Sequence, residues 1–160
     1  MTVICMDCSR ECGKQSPTAG EHDATSHGLC VKCYAKRVDA VEVNELREWV
    51  DAEFNRLPTG KIVLDRELKV IGYSKEEERL TGLIADEILG RKFFSEVAPC
   101  MSGPELAEWC ANHVSEADFT EKSIDWLLKL RSGDRVATLE MCAGRGRVVI
   151  LVDITGHGAA

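Results

Sequence analysis

No stretch of this 160-residue chain approaches the roughly 18 consecutive apolar residues that suggest a membrane-spanning helix. The opening residues, MTVICMDCSR, have neither the basic start nor the long apolar run of a secretory signal. Both absences lead us to expect a soluble, cytoplasmic protein with no membrane partner. A positive balance is lacking too. The net charge is −7, which argues against a protein that grips nucleic acid by neutralising phosphates. Residues 1–36 do not reverse this, since Arg10, Lys14, Lys32 and Lys36 are offset by Asp7, Glu11, Glu21 and Asp23. Internal repeats are absent. Gly144 and Gly146 precede a strand-like run rather than a helix, so they do not make a phosphate loop.

Cysteine, in contrast, is plentiful. The chain has 8, and five of them (Cys5, Cys8, Cys12, Cys30 and Cys33) fall within the first 33 residues. In a reducing compartment such a cluster more often binds metal than forms disulfides. Cys5-x2-Cys8 and Cys30-x2-Cys33 are two CxxC pairs. Each turn can offer two sulfurs, and zinc takes four ligands in a tetrahedron. Residues 1–34 are rich in Cys, Gly, Ser and Thr and poor in large apolar residues, so a bound zinc would replace the core they lack. Cys12, His22 or His27 could take the place of one ligand, and an iron–sulfur cluster could use the same set. Cys100, Cys110 and Cys142 are scattered. Cys110 and Cys142 read as core residues.

Residues 35–57 contain neither Gly nor Pro. Val43, Leu46, Val50 and Leu57 fall near heptad spacing, with Trp49 and Phe54 beside them. This predicts an amphipathic helix of about six turns. Its apolar stripe could pack on the protein's own sheet or join two copies as a homodimer. The remainder reads as one mixed α and β domain. Strands are expected over 61–64 and 68–73. Ser74 and Glu77 have the spacing of a capping box for a helix stopped by Gly82. A short helix over 85–89 ends at Gly90, and residues 104–118 are helical with Leu106, Trp109, Cys110 and Val114 on one face. Three strands, 123–130, 135–142 and 147–154, close the chain through hairpin turns. The expected organisation is a metal module over 1–34, a linker helix over 35–56 and a domain over 57–160.

The runs LPTGKIVLDRELKVIGYSKEEERLTG and ILGRKFFSEVAPC resemble the PAS family, and within it the photoactive yellow protein branch. The likeness is strong over residues 57–100 and fades to a pattern of elements over 101–155. SHGLCVKC, from Ser26 to Cys33, looks like the short zinc-ribbon pieces that precede PAS domains in bacterial sensors. The resemblance implies an α+β fold: a five-stranded antiparallel sheet flanked by short helices. It also implies site residues. That family carries a p-coumaroyl group as a thioester on a cysteine, which falls on Cys100. The phenolate is held by a tyrosine and a protonated glutamic acid, with a supporting threonine; these fall on Tyr73, Glu77 and Thr81 with no gap to Cys100. An arginine that covers the pocket in the family falls on Leu83, a departure that affects the lid. Buried phenolate needs hydrogen-bond donors, and burial keeps a carboxylic acid protonated.

Residue by residue, blander roles exist. Tyr73 could be a core-edge aromatic, Glu77 only a capping residue, Thr81 only the residue before a helix stop, and Cys100 a buried thiol. The expected function is that of a bacterial signalling sensor, a photoreceptor if the chromophore is present, acting on a downstream signalling protein. The alternative is a zinc-binding PAS adaptor that docks proteins or takes another ligand. An enzyme with Cys100 as nucleophile would need a base and an orienting group. His113 is the only histidine of the PAS portion before the tail, which holds His157, and no such arrangement is visible.

Overall fold

The computed structural model describes residues 2–5, 7–9, 11–14, 25–28, 30–51 and 59–154. The chain begins with three short strands, β1 (Thr2–Cys5), β2 (Glu11–Lys14) and β3 (Thr25–Gly28). They form a small sheet in the order β2-β1-β3. Helices α1 (Val31–Asp39) and α2 (Val43–Trp49) follow. Next come β4 (Gly60–Leu64), β5 (Val70–Tyr73), α3 (Lys75–Thr81) and α4 (Ala85–Ile88). A π-helical turn over Phe93–Val97, a 3-10 turn over Pro99–Met101 and a second π-helical turn over Pro104–Glu108 lead into α5 (Trp109–His113). Strands β6 (Thr120–Leu130), β7 (Gly133–Gly144) and β8 (Arg147–Asp153) close the fold. The main sheet has five antiparallel strands in the order β5-β4-β8-β7-β6.

Burial explains the character of each strand. On one face Ile62, Leu64, Leu139, Met141, Val148 and Ile150 pack with Phe93, Leu106 and Cys110 from the helical side. On the other face Val63, Cys142, Val149 and Leu151 pack with Tyr34, Ala35, Val38, Leu46 and Val50. Central strands β4 and β8 are thus covered on both sides, and β8 reads as the continuous apolar run VVILV. Such a run suits a strand buried on both faces. Edge strand β6 alternates between exposed and half-buried residues until Leu128, as expected of a strand wet on one face. Cys110 and Cys142 are fully buried core residues.

The predicted single helix over 35–57 is instead two. The first starts at Val31, earlier than expected, and the chain breaks over residues 40–42 before α2; residues 52–58 lie outside the described residues. No Gly or Pro causes the break. Instead, α1 lies on β8 and β7 while α2 lies on β5, at the far edge of the sheet order. A straight helix of 23 residues would run about 34 Å in one direction and could not follow both. Leu46 and Val50 are fully buried against the domain's own sheet, whereas Val43 is exposed. Leu46→Ala is therefore expected to cost about 3 kcal/mol in denaturant unfolding, and Val43→Ala less than about 0.5 kcal/mol. Equal small effects would place the stripe on a surface.

Candidate functional site: a lined cavity and a four-sulfur cluster

Helix α3 is built by local chemistry. Ser74 is its N-cap, with Oγ accepting from the Glu77 amide at 3.4 Å, and the same Oγ accepts from the Lys61 amide at 2.9 Å. The helix is therefore stitched to β4 at its start. Gly82, at φ 77°, ends it in the left-handed conformation that glycine tolerates best. Glu77 does not complete the capping box with its side chain. Its carboxyl turns inward and is 3% exposed, with Oε1 buried and lacking a hydrogen-bond partner. Burial pushes the carboxyl up to about 7, against a smaller opposing pull from the Tyr73 hydroxyl. The neighbouring Glu76 faces the other way, 3.8 Å from the buried Lys61 ammonium, which burial pulls below its ordinary value.

Tyr73 ends β5, and its hydroxyl lies 2.7 Å from Thr81 Oγ1. The Thr81 hydroxyl donates to the Glu77 carbonyl at 2.9 Å, so between the two hydroxyls it is Tyr73 that donates. Burial and the Glu77 charge raise the Tyr73 phenol, which stays protonated. Cys100 sits on the 3-10 turn with an exposed thiol. Its carbonyl accepts from Trp126 Nε1 at 3.4 Å. Tyr73, Glu77, Thr81 and Cys100 line one cavity of about 280 Å³, together with Ile62, Leu83, Phe93, Met101 and Val152. Leu83 is thus at the wall where the resemblance implies an arginine, and among the described residues the cations lining this cavity are Lys129 of β6 and Arg131 just after it. Among the described residues no histidine lines it; His113 is engaged with Glu116 at 2.7 Å.

The second site joins β1 to α1. Cys5 ends β1, and its carbonyl accepts from the Ser9 amide at 2.8 Å, closing a tight turn that carries Cys8. Cys30 is the N-cap of α1, and its Sγ accepts from the Cys33 amide at 3.5 Å. Arg37 then clamps Asp7 from α1 through bonds of 2.9 and 2.6 Å. The sulfurs of Cys5, Cys8, Cys30 and Cys33 all lie within 4.8 Å of one another, with Cys8 and Cys30 3.9 Å apart. A tetrahedral tetrathiolate at about 2.3 Å from a zinc-sized ion has sulfurs about 3.8 Å apart, so the four residues fit a metal. Backbone amides bring the Cys5 thiol down to about 6 in spite of burial, while burial pushes Cys30 and Cys33 up. A divalent cation would relieve that opposition. Of the other candidates, Cys12 lies on β2 and His27 on β3, but their side chains, like the whole of His22, lie outside the described residues.

A family profile described as the PAS fold matches residues 46–143, more than half of the chain. The chain belongs to the PAS family. Among relatives, the photoactive yellow protein of Halochromatium salexigens is 39% identical over 63 residues, 39% of this chain and 50% of that protein. That of Rhodobacter capsulatus is 38% identical over 52 residues, 32% of this chain and 42% of that protein. The chain spans about half the length of these curated relatives. Among solved structures, the photoactive yellow protein domain of the sensor histidine kinase Ppr from Rhodospirillum centenum superposes with a TM-score of 0.56 at 28% identity. It covers 64% of this chain and 96% of that domain. PAS domains of this type are generally non-enzymatic signalling modules that pass a change to partners. No described helix is long and apolar enough to cross a membrane.

Proposed function

We propose that this chain is a bacterial signal-transduction sensor whose PAS cavity holds a p-coumaroyl group as a thioester on Cys100, and whose cysteine cluster holds a structural zinc. The observation that carries the reading is that Tyr73, Glu77, Thr81 and Cys100, separated by up to 27 positions in sequence, line a single cavity. At about 280 Å³ it sits at the small end of ligand sites, which suits a compact aromatic acyl group better than a nucleotide. Bound there, the group would supply light absorption and isomerisation about its double bond. The residues supply the rest. Cys100 offers an accessible sulfur at the mouth. Tyr73 must swing its proton from Thr81 toward the ligand, and Thr81 can then donate to the Tyr73 oxygen. Glu77 offers a dry acid poised near neutrality, able to give up its proton and remain as a buried anion. A new buried charge is costly and drives rearrangement.

The test is intact mass under denaturing conditions after incubation with an activated p-coumarate. The expected result is a gain of one hydroxycinnamoyl group, lost in Cys100→Ala. An unmodified, folded protein would favour the second reading, a zinc-binding PAS adaptor that docks a signalling partner or takes another ligand. What supports that reading is the N-terminal layer, which joins the cysteine cluster to the sheet through one apolar cluster. Among the described residues of 35–57, a homodimer would draw on Val43 and its neighbours, since Leu46 and Val50 are taken up by the sheet.

A further inference from the structure

Gly60 stands at the first position of β4, paired with Val152 of β8. A paired strand position does not favour glycine, which costs entropy there and packs nothing. Its backbone does not require glycine either, for it is not among the residues of positive φ. What requires it is space. A Cβ built on Gly60 would fall 2.5 Å from Cγ and 2.6 Å from Cδ of Glu77, and closer still to Oε1. Real Cβ atoms do not approach other atoms so nearly. The side chain that would have to yield is no flexible surface arm. It is the 3% exposed carboxyl of the cavity wall, on a helix whose start is tied to the next residue, Lys61.

We infer that Gly60 is a positioning residue: its missing side chain is the notch into which the Glu77 carboxyl turns, which holds that acid dry on the cavity wall. The notch acts by shape and not by bonding, because Oε1 has no partner within it. A ligand that reaches Glu77 therefore meets an acid not already committed to a protein donor at that oxygen. The group it can receive is a hydrogen-bonding oxygen, such as the phenol oxygen of the proposed chromophore. This last step rests on the chromophore reading above; the notch itself does not.

The test is a double-mutant cycle on the full chain without ligand. Gly60→Ala is expected to lower Tm by roughly 5–10 °C in the presence of Glu77, because overpacking has no relief. In the Glu77→Ala background the same change should cost roughly 2 °C or less, because the clashing carboxyl is gone. Infrared spectroscopy at pH 6 adds a readout that general destabilisation would not move. The carbonyl stretch of a protonated carboxylic acid, identified by its absence in Glu77→Gln, should weaken in Gly60→Ala as the acid is expelled to water and ionises. Equal losses of Tm in both backgrounds, or an unfolded protein in both, would overturn the inference. So would an unchanged infrared band. A positive cycle in a protein that takes no hydroxycinnamoyl adduct would sustain the notch and remove only the chromophore reading.

Discussion

As the pH rises from about 4.5 to about 7, ionisation of Glu77 is expected to cost the ligand-free protein about 3 kcal/mol of stability relative to Glu77→Gln. The argument is linkage. In the unfolded chain the carboxyl ionises near 4.5, whereas in the fold burial raises it to about 7. Below the lower value both states are protonated and Glu77 contributes no pH dependence. Between the two, the unfolded state has released a proton that the folded state retains, so rising pH favours unfolding. Above the upper value both are ionised and the loss levels off. At about 1.4 kcal/mol per pH unit the gap is about 3 kcal/mol. The carboxyl is almost wholly buried, so solvent screening does not reduce it much. The amide that replaces it in the variant has no proton to release. Urea unfolding of both proteins at pH 4.5, 5.5, 6.5 and 7.5 measures the difference, and parallel stability curves would mean that the acid is hydrated in the fold. The same property serves the proposed function: an acid that ionises near neutrality is one whose proton a change in the cavity can release.

Much of the domain was legible because its signals are local. Ser74 and Gly82 delimit α3 by capping chemistry alone, and the chain from Lys61 to Tyr73 announced β4 and β5. Strand β6 began at Thr120 rather than at residue 123, because Glu121 and Lys122 look polar in sequence. They nevertheless continue the ladder, opposite Cys142 and Met141. The strands β1 to β3 were not legible at all. Four-residue strands in a segment of Cys, Gly, Ser and Thr carry no apolar alternation, and what the structure shows between them is backbone pairing in the order β2-β1-β3. The long helix failed for a tertiary reason, since two regions of one sheet claimed its two halves. At the site, Tyr73, Glu77, Thr81 and Cys100 came from family resemblance, and all four line the cavity. Gly60 was missed although it left a signal, a glycine at the head of an apolar strand. That glycine does duty for a side chain 17 positions away, a relation no local pattern encodes.

The N-terminal layer gives the other large expected effect. Treating the whole chain with a strong zinc chelator should strip amide protection from β1, β3 and α1 while β4, β7 and β8 keep theirs. Structural zinc sites contribute on the order of 10 kcal/mol to folding, enough to decide whether a segment as small as residues 2–28 holds together. Cys5 is the one buried residue described in that stretch, and Cys30 both caps α1 and belongs to the cluster. Four thiols left without a cation take up protons and lose their bonds to a shared ion, so nothing but weak S–H contacts would hold the two turns together. The consequence then runs further than a detached module would allow. Val31, Tyr34, Ala35 and Val38 belong to the same apolar cluster as Val63, Val149 and Leu151 of the sheet. Loosening α1 uncovers that face, so Tm should fall by several degrees even though the inner core around Ile62, Leu139 and Ile150 is untouched. Hydrogen exchange read by mass spectrometry, with and without chelator and in Cys30→Ser, distinguishes the cases. Unchanged exchange would mean that no metal supports this layer. Loss of protection throughout would mean that layer and sheet fold as one unit. The expected graded loss would make the cysteine cluster a hinge pin for α1, whose other end leads through α2 to Asp51, the residue that accepts from the first amide of α3 at 2.8 Å.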